Sequence, residues 1–111
     1  MKSDRAYLEH MLDMIDRIEL ATAAGRTAFL ESVLHQDAVL RNLHTLTETT
    51  QRLSADLRDA HPEVNWAALA AFRNVVVHDY LGIDIELVWT VVSQDVPDLR
   101  AKVAILLDTL P

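Results

Sequence analysis

The sequence predicts an all-α fold, an up-and-down bundle of four main helices with shorter ones between them. Three observations predict it. Apolar residues recur at steps of three and four along most of the chain, the period of a helix with one buried face. Only 2 glycines and 3 prolines occur in 111 residues, too few for the turns of an all-β fold. Half the residues are apolar and 24% are charged, the balance of a packed core in a solvated shell rather than of a disordered chain. The length fits one domain, so residues 1–111 are read as a single helical unit.

Leu8, Met11, Leu12, Ile15, Ile18 and Thr22 make one stripe, which predicts a helix over residues 3–24 with Ser3 as its N-cap and Gly25 as its stop. A short helix follows over 27–34, with Phe29, Leu30 and Val33 apolar. Val39, Leu43, Leu46, Thr50, Leu53 and Leu57 then step by four and three, predicting a long helix over 36–59 with a coiled-coil-like seam. Thr47, Thr49 and Thr50 are unusual there, because β-branching lowers helix propensity. A close helix–helix contact is one reason to place them so. Pro62 breaks the chain and Asn65 caps a helix over 66–78. Asp84 caps another, with Ile85, Val88, Trp89 and Val92 inward. Asp95 and Pro97 open the last, which carries Leu99, Val103, Leu106 and Leu110.

Several function classes are excluded at this level. There are no cysteines, so no disulfide framework and no thiolate metal site. No apolar run is long enough for a transmembrane helix, and the start MKSDRAYLEH is too polar for a secretory signal. A cytoplasmic protein with no membrane partner is expected. The net charge of −7 opposes bulk nucleic-acid binding. Any chemistry on nucleic acid therefore needs a locally basic cleft or a partner's positive surface. No Gly-rich phosphate loop, Ser-centred elbow or HExxH motif occurs, and no cofactor is expected.

The segment over 67–77 is apolar on nearly all sides apart from Arg73 and Asn74. A helix of that kind buries more than one face, which predicts a homodimer interface, the alternative being a deeper-than-usual core. Arg73 shares a stripe with Trp66, Leu69, Ala70, Val76 and Val77. A guanidinium in such a stripe needs compensation. One reading is a buried ion pair, for example with Glu48. The other is an anion site, because the guanidinium fork matches phosphate oxygens.

His78 lies five residues on, about 140° around a straight helix from Arg73. The two converge only if the helix loosens before Gly82 or if two protomers pool their sites. Taken alone, a histidine there is a helix C-terminal cap. Asn74 shares a face with His78 and can orient an imidazole or bind a phosphate oxygen. Tyr80 sits at the helix exit, either as a plug or as a nucleophile or modification target. His44 and Glu48 have metal-ligand spacing but no evident third ligand. His10, His35 and His61 read as surface residues. Glu9, Asp13 and Asp16 read as a solvated face or a partner-facing acidic patch.

Arg73-Asn74-Val75-Val76-Val77-His78-Asp79-Tyr80 reads Arg, four residues, His, one residue, Tyr. It resembles the signature of HepT-like toxins in the HEPN superfamily of helical ribonucleases. The segment DAVLRNL over 37–43 resembles that family's second block, and HPEVNW over 61–66 its HPEIPW turn. Tyr80-Leu81-Gly82-Ile83-Asp84 and Val88-Trp89 continue the pattern, so the resemblance covers about the whole chain. The family often has Gly-Glu-Ala where this chain has Thr47-Glu48-Thr49, and usually proline where it has Asn65.

The resemblance implies a HEPN-type bundle and a ribonuclease toxin of a type VII-like toxin–antitoxin pair. It implies a homodimer in which two Arg–His motifs line one cleft and cleave RNA without a metal, with Arg73 and His78 catalytic and Asn74 supporting. It also implies an MntA-type nucleotidyltransferase antitoxin that silences the toxin by AMPylation of Tyr80. The alternative is a non-catalytic helical dimer that docks a nucleotidyltransferase or binds a nucleotide, favoured by the negative net charge.

Overall fold

Helix α1 (Asp4–Thr22) starts where the capping rule puts it: Ser3 is extended and its Oγ accepts the Ala6 N–H at 3.2 Å. The computed structural model describes residues 3–77 and 84–110, with backbone alone at 71 and 73–77. Leu8, Met11, Ile15 and Ile18 are fully buried, so the predicted stripe is the buried one. Gly25 ends the turn with φ 97°, donating its N–H to Thr22 O at 3.0 Å. That left-handed backbone strains any residue with a Cβ.

The next helix is shorter than the sequence suggests. Helix α2 (Arg26–Glu31) stops because Ser32 turns extended and caps α3 (Val33–Thr50), its Oγ accepting the His35 N–H at 3.2 Å. Val33 and Leu34 therefore open α3 and are largely exposed, instead of completing an apolar face on α2. Phe29 is the buried anchor of α2, its ring centroid 5.5 Å from that of Trp89.

The single long helix expected over 36–59 is divided. Helix α3 ends at Thr50 and α4 (Ala55–Ala60) begins after Ser54. The cause is tertiary. The Asp4 carboxylate accepts both the Ser54 backbone N–H, at 2.8 Å, and its hydroxyl, at 2.6 Å. A backbone N–H drawn to a side chain on α1 is not spent on the helix ladder. Leu53 and Leu57 are nonetheless buried, so the seam picked the right core residues across a broken backbone. Thr47, Thr49 and Thr50 are buried too, and each hydroxyl bonds a carbonyl one turn back on α3. This satisfies the polar groups that burial would otherwise penalise.

Asn65 caps α5 (Trp66–Val77) and Asp84 caps α6 (Ile85–Thr90), both as predicted. No new helix opens at Asp95 and Pro97. The chain passes from α6 through a π-helical segment, Val91–Asp95, straight into α7 (Val96–Thr109). Pro97 lacks an N–H and its ring would press on the carbonyl four residues back. A wider turn relieves that clash without ending the helix. Val88, Val92 and Val96 stay buried through the segment.

Helices α1 and α3 pack along each other, with α5 against α3 and α7 against α1, while α2 bridges to α6. The four main helical runs are thus α1, α3, α5 and the continuous stretch over 85–109, with α2 and α4 as the short ones. Among the described residues no helix is long and apolar enough to cross a membrane.

Candidate active site

The helix that carries Arg73 and Asn74 is fixed at its start. The Trp66 indole N–H lies between two carbonyls, Arg58 O at 3.2 Å and His61 O at 3.1 Å. The Asn65 side chain accepts the Ala68 N–H at 3.0 Å, and Leu69 is buried. The turn before it is braced by His61 Nδ1, 2.8 Å from Glu63 Oε1. That hydrogen bond holds the Glu63 carboxyl below its ordinary pKa. A carboxyl depressed in the fold adds stability above its unfolded value and loses it as the pH falls through the lower, folded value. At this exposed position the effect is small.

From that anchored start the α5 backbone runs helically to Val77. It places Arg73 one turn beyond Leu69, with Asn74 next, on a helix packed against the one that carries Glu48. The side chains of Arg73 and Asn74 lie outside the described residues, as do His78 and Tyr80 altogether. The α5 backbone therefore relates Arg73 and Asn74 to each other, and the approach of His78 and Tyr80 lies beyond what is described.

The histidines are not uniformly on the surface. His10 and His44 are exposed, but His35 and His61 are half-buried. Sequence reasoning also missed a groove of about 570 Å³ between α1 and α3. Its walls include Tyr7, His10 and Asp13 from one side and His44, Glu48 and Arg52 from the other. Each wall has one-face spacing in the sequence, Ala6, His10 and Asp13 on one and His44, Glu48 and Arg52 on the other, but nothing in the sequence sets the two stripes opposite each other. The metal reading of His44 and Glu48 gains no third ligand. Among the described residues no three His, Asp or Glu side chains are grouped to hold a metal ion. A second hollow, near Asn65, Phe72 and Lys102, measures about 70 Å³, too small for a nucleotide.

This all-α bundle, with Arg73 and Asn74 late in its α5, belongs to the HepT-like ribonuclease family: the model described as "Ribonuclease HepT-like" matches residues 11–106. Three relatives match between 88% and 98% of the chain. A Thermococcus cleftensis protein named "Probable ribonuclease HepT" is 30% identical over 88% of this chain and 93% of its own length. From Methanocaldococcus jannaschii, "Putative RNase MJ1380" is 31% identical over 92% of this chain and 94% of its own. A second protein of that organism, "Gamma-glutamylcyclotransferase and putative RNase MJ0434", is 30% identical over 98% of this chain. This chain spans only 50% of that longer protein. No solved structure matches the chain.

Proposed function

We propose that this chain is a metal-independent endoribonuclease toxin whose activity is carried by Arg73 and His78. The observation that carries the reading is the family match over 11–106, which contains the whole Arg73–x4–His78–x–Tyr80 run. Imidazole has an ordinary pKa near 6.5, suited to taking a proton from a ribose 2′-OH at neutral pH. The 2′-oxygen attacks the adjacent phosphorus and the bond to the 5′-oxygen breaks. The products are a cyclic phosphate and a free 5′-hydroxyl, which takes up a proton. Arg73 stabilises the charge that gathers on the phosphoryl oxygens. Asn74 positions the phosphate or the imidazole. The nucleophile belongs to the substrate, which makes RNA, not DNA, the substrate and leaves no step that needs a metal. The direct test is cleavage of labelled RNA by purified protein in EDTA, comparing wild type with His78→Ala.

The active form is a homodimer. Arg73 and His78 are offset around a straight helix, so a second protomer supplies the complementary group, and the apolar surface of α5 supplies the contact. Sedimentation at micromolar concentration is expected to show a dimer. A monomer that still cleaves RNA would remove the shared-cleft arrangement.

Silencing falls to a nucleotidyltransferase antitoxin that AMPylates Tyr80. The added phosphate pairs with a nearby guanidinium and the adenosine occupies space the substrate needs. Tyr80→Phe keeps the ring and removes the acceptor oxygen. It is expected to stay folded and toxic and to escape the antitoxin on co-expression. Intact-mass spectrometry after incubation with antitoxin and ATP reads this directly: additions of about 329 Da appear on wild type and not on Tyr80→Phe. Additions that persist on the variant put the modified residue elsewhere.

A further inference from the structure

Two stripes on the surface share one spacing. Along α1, Ala6, His10, Asp13, Arg17 and Leu20 step by four and three. Along α3 and just past its end, Leu34, Ala38, Arg41, Thr45, Glu48 and Arg52 step the same way. None of them belongs to the core; each is exposed or half-buried. This is the heptad spacing of a seam between packed helices, here turned to solvent. Leu20 is 79% exposed and Leu34 77%, and covering two such leucines is favourable. Among the described residues, the side chains of Asp13, Arg17 and Arg41 make no ion pair and no hydrogen bond. Arg5, Arg26 and Arg100 of the same acidic chain are all paired.

The stripes lie side by side. The Asp4–Ser54 contact sets the start of α1 beside the end of α3, so the two helices are antiparallel. The groove runs between Ala6, His10 and Asp13 on one and Thr45, Glu48 and Arg52 on the other. Arg17 and Leu20 continue beyond it on α1, and Arg41 and Leu34 on α3. Each stripe also complements its own reverse. About Ile15, Asp13 mirrors Arg17 and His10 mirrors Leu20. About Leu43, Arg41 mirrors Thr45, Ala38 mirrors Glu48 and Leu34 mirrors Arg52. Ile15 lies eleven residues after Asp4, and Leu43 lies eleven before Ser54. The two midpoints therefore stand about level on the antiparallel pair.

We infer that this α1–α3 face is an interface with a second copy of the chain, stacked face to face and end for end, α1 on α1 and α3 on α3. Turned in this way, Asp13 of each copy meets Arg17 of the other, which gives two symmetric ion pairs. Leu20 of each covers the recess at His10 of the other, and Leu34 lies against the aliphatic stem of Arg52. Arg41 meets the Thr45 hydroxyl. A copy laid parallel would set Arg17 on Arg17 and Asp13 on Asp13, so charge selects the reversed orientation. Leu34 to Arg52 spans roughly 27 Å along the helix axis, and two helices side by side are roughly 20 Å wide. That footprint is smaller than the ~800 Å² per partner of a standard interface, and each copy carries a net charge of −7. The association is therefore micromolar rather than nanomolar. The contact uses α1 and α3 alone. It is separate from the dimer proposed through α5, and a chain that makes both contacts builds an assembly larger than a dimer.

Sedimentation equilibrium of the full chain from about 1 to about 200 µM tests it, a range that brackets a micromolar dissociation constant. Wild type is expected to gain mass across that range. Leu20→Glu, at a position already exposed in the single chain, is expected to raise the dissociation constant of this step at least about tenfold, because it sets a carboxylate over the recess. Arg17→Asp and Asp13→Arg each turn both symmetric pairs repulsive, and each is expected to weaken the step about tenfold. The exchanged variant, Asp13→Arg with Arg17→Asp, restores both pairs with their signs reversed. It is expected to recover association to within about threefold of wild type. Arg26→Gln, whose arginine pairs with Glu86 away from this face, is the control and leaves association unchanged. Circular dichroism and thermal melting check the fold of each variant.

A wild type whose mass does not change with concentration overturns the interface. So do folded Leu20→Glu and Arg17→Asp variants that associate like wild type. Both single charge variants impaired, with no recovery in the exchanged variant, overturns the end-for-end stacking. The α5 dimer is tested apart from it. If wild type is a monomer at the lowest concentration and gains mass through these residues, this interface stands and the α5 dimer fails. If wild type and Leu20→Glu are the same dimer throughout, the α5 dimer stands and this interface fails.

Discussion

His78→Ala is expected to lower RNA cleavage about 100- to 10,000-fold, the range for removing a positioned general base or acid. The loss should appear in kcat, because the imidazole acts as the proton moves and contributes little to holding the substrate. Arg73→Lys is expected to fail comparably. An ammonium keeps the charge but not the planar fork that engages two phosphoryl oxygens at once. Both variants should relieve growth arrest when expressed. The assay runs in EDTA with the cyclic-phosphate product as the readout, so a contaminating metal nuclease does not register. Wild-type cleavage by either variant would remove that residue from the catalytic assignment. Loss in both, with unchanged helicity by circular dichroism, would establish the pair.

Phe29→Ala is expected to destabilise the fold by about 3–5 kcal/mol, the usual cost of truncating a buried phenylalanine. Phe29 is fully buried on a helix of only six residues and meets the Trp89 ring of α6. It is the one fully buried side chain of α2, with the half-buried Leu30 beside it against the core. A domain of this size has about 5–15 kcal/mol in total, so one substitution consumes a large share of it. The melting midpoint should fall by more than about 10 °C. The urea midpoint should fall with an unchanged slope, which marks lost stability rather than a different unfolded state. A midpoint within a degree of wild type would mean that α2 is not part of the cooperative core.

The local signals were easy to read where one residue decides the outcome. Ser3, Asn65 and Asp84 cap the helices they were expected to cap, and Gly25 stops the first. Leu53 and Leu57 are buried as their spacing implied, yet the backbone between Thr50 and Ala55 is not helical. Spacing reports which side chains face the core and is blind to a carboxylate fifty residues away that claims the Ser54 N–H. Pro97 misled for a related reason. It was read as a helix start, whereas the chain widens to a π turn and continues. Of the candidate site, Arg73 and Asn74 fall on a helix as expected. The α1–α3 groove was not read at all, because it exists only once two distant stripes are laid side by side.

The Asp4–Ser54 contact also bears on how the molecule comes apart. A six-residue helix is far too short to persist in water by itself, and α4 owes its first turn to a Ser54 that α1 holds. Whatever lifts the first turn of α1 frees that cap, and with α4 goes the Arg58 carbonyl that receives the Trp66 indole. Amide protons of α4 and of the first turn of α5 should therefore exchange with solvent at the rate set by opening of the first turn of α1. With the first turn of α1, which lies about fifty residues earlier in the sequence, they form one opening unit.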